Sequence, residues 1–329
     1  MLTELKDETI LVTGATGFIG SHVAERLVAL GARVRGLARS TGKGAWLGRR
    51  GVEIVAGDLT DAASLRRAVQ GCRIAFSIAG WVRQPNSYEA ARRVGVDGTR
   101  SLMEAAIDAG VRRLVHTSSI AAYGPHTDGL IDETWPLRAT DAYGRTKAQS
   151  ESVVFACGNR IEVSVIRPAQ IFGPRGGAWT MLLFDAVRRG WPILIGGGQG
   201  TFHPGYVENL VDAYLLAATR AEAVNQAFTI VDSTTTWREF VGHYARMVGR
   251  PARSMPAWPL RLAARLMVAG SAITRRPPIG TPADIAFLVG SCRYSCEKAK
   301  RLLDWAPRVP LDEAMRRTEA WLRESGRLA

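Results

Sequence analysis

The sequence predicts a doubly wound α/β fold: a parallel sheet with helices on both faces, followed by a smaller, mostly helical portion that binds substrate. Three observations predict it. Short apolar runs alternate with helical patterns over the first 170 residues, a glycine-rich turn directly follows the first run, and the alternation loosens after Pro174. A chain of 329 residues is long enough for about two domains. We divide it at residues 1–174 and 175–329, and expect the chain to return to the sheet near 203–235.

The apolar runs at 9–13, 33–37, 52–55, 74–78, 114–117 and 163–166 read as strands, too short for buried helices and rich in Val and Ile. Between them, segments near 18–30, 61–70, 88–109 and 142–157 carry helical spacing. Parallel neighbours need such crossovers, which is why strand and helix must alternate. Beyond Pro174 come the turn Gly196-Gly197-Gly198, a helix near 208–219, a strand near 227–231 and mostly helices thereafter.

Composition narrows the function. At 47% hydrophobic and 22% charged the chain is an ordinary globular one. Its formal charge of +13 comes from 43 Lys and Arg against 30 Asp and Glu. Only five of the 43 are Lys, and the arginines are scattered as doublets such as Arg49-Arg50, Arg92-Arg93 and Arg316-Arg317. A nucleic-acid surface would gather them into one tract, so we expect solvated arginines, attraction of anionic ligands and no nucleic-acid partner. Cys72, Cys157, Cys292 and Cys296 are too scattered for a disulfide framework, and Cys292-x3-Cys296 lacks a second ligand pair, so no metal site is expected. The first ten residues carry Glu4, Asp7 and Glu8 and no apolar run behind a basic start, which points to a cytoplasmic protein.

The turn after the first strand reads Thr13-Gly-Ala-Thr-Gly-Phe-Ile-Gly20, a GxxGxxG spacing opening an amphipathic helix. Gly14 allows the tight turn, Gly17 lets the backbone approach a pyrophosphate, and Gly20 permits close packing of helix on strand. Phe18 and Ile19 begin the helix, whose free amides and dipole face the phosphates. This is the dinucleotide-binding arrangement of a Rossmann fold. Where an NAD-selective site offers Asp or Glu at the end of the second strand, this chain has Arg39, with Lys43 nearby. A guanidinium pairs with a 2′-phosphate, so NADP is favoured over NAD; stacking of Arg39 on the adenine would tolerate either. Asp58, in Gly57-Asp58-Leu59, either accepts from the adenine amino group or caps the following helix.

Tyr143 and Lys147 stand at i and i+4 on a predicted helix, so phenol and ammonium share a face. A free phenol has a pKa of about 10; the lysine, together with an oxidised nicotinamide ring, would favour phenolate and bring it toward working pH. Tyr143 would then pass a proton to or from a substrate oxygen. Ser118 and Ser119 lie at the carboxyl end of the preceding strand, where open parallel sheets bind ligands, and a hydroxyl there can hold the same oxygen.

Together these residues resemble the extended short-chain dehydrogenase/reductase family, also called the NAD-dependent epimerase/dehydratase family. TGATGFIG, Gly57-Asp58-Leu59, Ala79-Gly80, Asp97-Gly98-Thr99, HTSSIAAYG (116–124), YGRTK (143–147) and RPAQIFGP (167–174) follow its order. The resemblance implies that Ser119, rather than Ser118, Tyr143 and Lys147 are catalytic, that Lys147 binds the nicotinamide ribose, and that Leu59, Ala79, Gly80 and Pro168 lie along the coenzyme. The C-terminal half is most similar to the 3β-hydroxysteroid dehydrogenase branch, through HPGYVENLVDAYLLAA (203–218), Arg276-Pro277-Pro278 and the stretch at 293–322. Three departures matter. Gln170 replaces the asparagine of nucleotide-sugar enzymes, Phe202 replaces their diphosphate-clamping arginine, and Gly95 stands where the family commonly has Asn, putting the usual water relay behind the lysine in doubt.

The expected activity is therefore NAD(P)-dependent interconversion of a secondary alcohol and a ketone on a hydrophobic substrate, steroid-like or a natural-product or β-keto compound. The alternatives are a nucleotide-sugar epimerase, reductase or dehydratase, and a coenzyme-sensing protein without chemistry. Trp81, Tyr88, Trp135, Trp179, Phe202 and Tyr206 are candidate pocket walls or core aromatics. The segment 258–273 is apolar except for Arg261 and Arg265 and too short to span a bilayer; we expect it to cover the substrate pocket in preference to resting on a membrane. The long helices at 88–109 and 141–157 suggest a four-helix homodimer interface.

Overall fold

The computed structural model describes residues 2–80, 88–274 and 282–328. Trp81, the Lys43 side chain and Arg276-Pro277-Pro278 lie outside the described residues.

Seven strands form the central sheet: β1 (Thr9–Thr13), β2 (Arg33–Ala38), β3 (Val52–Ala56), β4 (Ile74–Ser77), β5 (Arg113–Thr117), β6 (Glu162–Pro168) and β7 (Gln226–Ile230). Their spatial order is 3-2-1-4-5-6-7 and every pairing is parallel. The order reverses between β1 and β4, which opens a crevice above their carboxyl ends.

Alternation along each strand decides which layer it feeds. Ile10, Val12, Val34, Phe76, Val115 and Ile166 pack on one face, while Leu11, Leu37, Ala75, Leu114 and Val163 pack on the other. The first face is covered by α1 (Phe18–Ala29) and a late helix, Val207–Thr219. The second is covered by α3 (Ala62–Val69), α5 (Gly98–Asp108) and α6 (Ala142–Ala156). Both faces of the sheet are thus dry, as a parallel sheet requires.

Two elements differ from expectation. A short α2 (Thr41–Gly48) forms although its eight residues include three glycines. Burial of Leu47, and Gly44 passing so close to Ile54 that a Cβ there would lie 2.9 Å from its Cγ2, outweigh the poor helix propensity. The helix expected at 88–109 is broken: α4 (Tyr88–Arg92) passes through a π turn, Arg93–Asp97, before α5 begins. Gly95 lies in that turn; its carbonyl accepts from the Thr99 hydroxyl at 2.7 Å, and a Cβ there would meet Thr146 at 3.4 Å.

The C-terminal portion is built from short ladders and helices. Gln170–Phe172 pairs with Pro204–Tyr206, and Pro192–Ile195 with Arg253–Met255, both parallel. The helices that follow α6 are α7 (Leu183–Arg188), α8 (Val207–Thr219), α9 (Trp237–Val248), α10 (Ala257–Thr274), α11 (Pro282–Val289), α12 (Glu297–Leu303) and α13 (Leu311–Glu324). Asn209, buried on α8, ties the tail down. Its amide donates to Asp232 and to the Val309 carbonyl, and its oxygen accepts from the amides of Arg308 and Val309. The four cysteines are free thiols, two buried and two half-buried, and no cluster of metal-ligating side chains occurs among the described residues.

Candidate active site

The loop between β1 and α1 has the geometry its glycines suggest. Gly14 adopts φ +67, and a Cβ there would stand 2.8 Å from the Ala79 amide nitrogen. A Cβ on Gly20 would overlap the Gly14 carbonyl oxygen, so strand and helix approach only because both positions are bare. Gly17 precedes α1 with extended backbone, and the helix opens at Phe18 and Ile19, both half-buried, with no side-chain cap and no acid in its first turn. Free amides and a positive helix end therefore face the crevice, which fits a pyrophosphate. Thr13 fixes the rim: its hydroxyl accepts from the amides of Ile78 and Ala79, each at 3.0 Å, and donates to the Phe76 carbonyl.

Farther out, Arg39 is exposed at the end of β2. The Asp58 carboxylate is held below its ordinary pKa, first by the Thr60 amide and hydroxyl it accepts from at 2.8 and 2.7 Å, then by the Arg39 and Arg93 guanidiniums. Asp58 does not cap the following helix; Asp61 does, accepting from the amides of Ala63 and Ser64. Leu59 is buried against Gly98. Beside it, Leu59, Thr60, Arg93, Asp97, Gly98 and Ser101 line a cavity of about 280 Å³.

At the centre of the crevice the chain brings Ser119, Tyr143 and Lys147 together. Ser119 follows β5 and caps the short helix Ile120–Tyr123, accepting from the Ala121 amide at 3.1 Å, and its hydroxyl stands near the Tyr143 phenol and favours its ionisation. Ser118 has no such position: its hydroxyl is buried, and its amide donates to the Ile166 carbonyl at 2.7 Å. Asp141 caps α6 through the amides of Tyr143 and Gly144 and so fixes where the phenol emerges. Lys147, one turn on, is buried; its amine donates to the Thr117 carbonyl at 2.6 Å and stands 5.9 Å from the Tyr143 ring centre. Gly80 runs directly beside it, where a Cβ would lie 3.3 Å from the lysine Nζ. Pro168 ends β6 in register with Ile230.

Burial pushes the Tyr143 phenol above its usual value; the Ser119 hydroxyl opposes the shift and Asp141 adds to it. The amine beside it is itself desolvated: burial brings Lys147 down to about 8, against the pull of the Glu151 carboxylate. The protein groups by themselves thus leave the phenol protonated at neutral pH.

Sequence reasoning missed the supports behind this triad. Glu151, one further turn along α6, forms a buried bidentate pair with Arg167, Nη2 to Oε2 at 2.6 Å. Arg167 also donates to the Tyr123 hydroxyl at 2.9 Å. His116 bridges the hydroxyls of Ser77 and Ser150, and burial, with Lys147 adding, holds its imidazole well below the usual range. The i, i+4 continuation Tyr143, Lys147, Glu151 is the signal that would have found the carboxylate.

The outer residues are less obliging. Phe202 and Tyr206 are buried in an aromatic core with Phe172, Trp237 and Phe240, Phe202 stacking on Phe240 at 4.2 Å, and Trp179 packs against Phe202 and Trp237. Gln170 is also internal, its side-chain oxygen accepting from the His203 amide. Tyr88 lies along α6, bonded to Gln149, and Trp135 packs edge-on to His126. In the segment expected to cover the pocket, Trp258, Leu262 and Leu266 on α10 are exposed, while Leu260 is half-buried and Ala264 buried. No described helix is long and apolar enough to cross a membrane.

A model of the NAD dependent epimerase/dehydratase family matches residues 10–231. The mouse protein "Sterol-4-alpha-carboxylate 3-dehydrogenase, decarboxylating" is 30% identical over 95% of this chain and 90% of its own length. The Arabidopsis thaliana "3beta-hydroxysteroid-dehydrogenase/decarboxylase isoform 2" is 30% identical over 94% of this chain, which spans only 61% of that relative. Among solved structures, gox2253 superposes with a TM-score of 0.85 at 27% identity, covering 98% of this chain and all of that one. MoeE5, solved with UDP-glucose and NAD, gives a TM-score of 0.75 at 25% identity, covering 97% and 99%.

Proposed function

Because the chain belongs to the NAD-dependent epimerase/dehydratase family, we propose that it is an NAD(P)-dependent oxidoreductase that interconverts a secondary alcohol and a ketone on a hydrophobic, sterol-like substrate. The observation that carries the reading is the meeting of the Ser119 hydroxyl and the Tyr143 phenol, with Lys147 one helical turn away, at the mouth of a glycine loop whose geometry suits a dinucleotide. Residues 1–174 hold the coenzyme, through Gly14, Gly17, Phe18, Ile19, Gly20, Arg39, Asp58, Leu59, Ala79, Gly80 and Pro168. Residues 175–329 receive the substrate.

A nicotinamide coenzyme, when bound, would supply the hydride acceptor or donor. Tyr143 as phenolate takes the hydroxyl proton in oxidation, and as phenol gives one up in reduction, while Ser119 holds the same oxygen in place. Lys147 presents a cation on that side, through an amine whose direction the Thr117 carbonyl fixes. The names of the mouse and Arabidopsis relatives support a sterol-like substrate. The nucleotide-sugar alternative finds no diphosphate clamp at position 202, where the side chain is a buried phenyl ring.

A panel of 3-hydroxysteroids, 4-carboxysterols and UDP-sugars, followed by absorbance of the reduced coenzyme, tests the reading. Turnover is expected on sterol-like alcohols; turnover on the sugars alone overturns it. Arg39→Ala tests the coenzyme preference. If the exposed guanidinium pairs with a 2′-phosphate, KM for NADPH rises about tenfold, the magnitude of one charge-assisted hydrogen bond, while KM for NADH stays in place. Equal change for both coenzymes would mean that Arg39 stacks on the adenine instead. For a homodimer through α4, α5 and α6, the exposed faces carrying Arg100, Glu104, Gln149 and Ser152 form the contact we propose.

A further inference from the structure

Arg175 is held in a backbone conformation that residues of its type avoid. Among the described residues four non-glycines have positive φ: Asp7, Asn225 and Asp304, whose short polar side chains tolerate it, and Arg175 at +69. Arg175 stands between Pro174 and two glycines, where the chain leaves the coenzyme half for the substrate half. Glycine would adopt that φ without strain, so the position keeps an arginine for what its guanidinium touches.

The guanidinium reaches back to the coenzyme half. Both terminal nitrogens donate to the Glu25 carboxylate on α1, Nη2 to Oε2 at 2.5 Å and Nη1 to Oε1 at 3.4 Å, and the guanidinium carbon stands 5.2 Å from the centre of the Trp46 ring on α2. Arg50 joins the same cluster, its Nε 3.2 Å from Glu25 and its guanidinium 5.1 Å from the Trp46 ring. One turn earlier on α1, His22 donates from Nε2 to the Pro174 carbonyl at 2.9 Å, and its ring packs edge-on to Phe18, which opens the helix at its phosphate end. A two-pronged pair stacked on an indole fixes direction as well as distance, which a point charge does not.

Beyond Arg175 the chain is fastened to the substrate half. The Thr180 hydroxyl accepts from the Gly173 amide at 3.0 Å and donates to the Gly173 carbonyl at 3.1 Å, closing the turn on which Arg175 sits. A π turn, Gly177–Leu182, follows; in it Trp179 packs on Phe202 and Trp237, and its carbonyl accepts from the Tyr244 hydroxyl at 2.8 Å. Packed and hydrogen-bonded groups thus run without a break from the helix that faces the pyrophosphate, through Glu25 and Arg175, to the aromatic core of the substrate half. We propose that Arg175 is a positioning residue: its fork on Glu25 locks the segment 173–182 to α1, so that coenzyme bound at α1 also stiffens the segment that opens the substrate half. The proposal rests on the assignment of the glycine loop to a dinucleotide, and not on which alcohol is oxidised.

Hydrogen exchange of the full chain with and without NADH or NADPH tests it, after fluorescence titration has shown which coenzyme binds. Coenzyme at about 100 times its Kd slows an opening that must release it by at most about 100-fold, and the amides of 173–182 are expected to slow by about tenfold or more. Arg175→Asn keeps a residue at ease with positive φ but removes the fork, and Glu25→Gln removes the partner's charge without touching the segment. Each should lose most of the coenzyme-dependent slowing at 173–182 while keeping coenzyme affinity and thermal midpoint, and the double variant should lose no more than either alone. Arg175→Lys, which retains the charge without the fork, should fall between them and wild type, and serves as the test should Arg175→Asn fold poorly. For an alcohol that is turned over, KM should rise about tenfold in Arg175→Asn with the KM for coenzyme in place, a modest share of what a misplacement of about 1 Å can cost. Slowing equal to wild type in both single variants, no slowing in the unmodified chain with coenzyme bound, or an unchanged KM for the alcohol overturns the proposal. If neither coenzyme binds the unmodified chain, the titration alone overturns the coenzyme reading, and this proposal with it.

Discussion

Tyr143→Phe is expected to lower turnover by about 10²–10⁴-fold, the usual contribution of a positioned general acid or base, while leaving coenzyme affinity within about twofold of wild type. Only the phenolic hydroxyl is removed. The ring, the Asp141 cap that places it and the Lys147–Thr117 bond behind it all remain. The pH dependence supplies a second readout. Burial holds the phenol above its ordinary value, so at neutral pH little of it is phenolate. Oxidation needs phenolate as proton acceptor, so kcat/KM for the alcohol should climb with pH from neutrality into the alkaline range, and the climb should vanish in the variant. Steady-state rates with a sterol-like alcohol, paired with fluorescence titration of the reduced coenzyme, measure both. Unchanged turnover together with unchanged coenzyme binding would identify a coenzyme sensor in place of a dehydrogenase.

What made this site readable from sequence was local spacing on single elements. GxxGxxG after an apolar run and Tyr-x3-Lys on one helix each encode a geometry that neighbouring residues enforce alone. The structure reproduces both, down to the left-handed Gly14 and the phenol emerging beside the Asp141 cap. The choice of Ser119 over Ser118 came only through the family pattern; alternation along a strand end cannot say which hydroxyl meets a helix 24 residues later. Long-range charge was illegible. Arg167 precedes Pro168 in a strand and Glu151 follows Lys147 in a helix, and nothing in either segment reveals that they pair in the core. The phenol's raised pKa depends on desolvation, a property of the assembled fold rather than of any motif. For α10 the sequence showed an apolar helix but not which way it faced, because cover for a pocket and contact with lipid require the same composition. The structure shows Trp258 and Leu266 exposed.

Lys147→Met should cost most of the turnover and yet improve relative stability at neutral pH. The amine is buried and its pKa falls from 10.5 to about 8, so the folded chain binds that proton less tightly than the unfolded chain does. Below about pH 8 the lysine is charged in both states, and its desolvation penalty is present in full, on the order of 3 kcal/mol at roughly 1.4 kcal/mol per pKa unit. Between about 8 and 10.5 the folded state has released the proton that the unfolded state keeps, so stability rises with pH and the penalty fades. Methionine fills similar volume and carries no charge, but it leaves the Thr117 carbonyl without its 2.6 Å donor, at a cost of about 1–3 kcal/mol that does not depend on pH. The two opposing effects separate cleanly in urea melts of wild type and variant taken at pH 7 and pH 10. The variant's stability relative to wild type should be highest at pH 7 and decline by up to about 3 kcal/mol at pH 10. A difference that stays flat across that range would mean that Lys147 keeps its full charge in the folded state. A site that retains a buried amine against such a penalty retains it for the charge it presents to coenzyme and substrate.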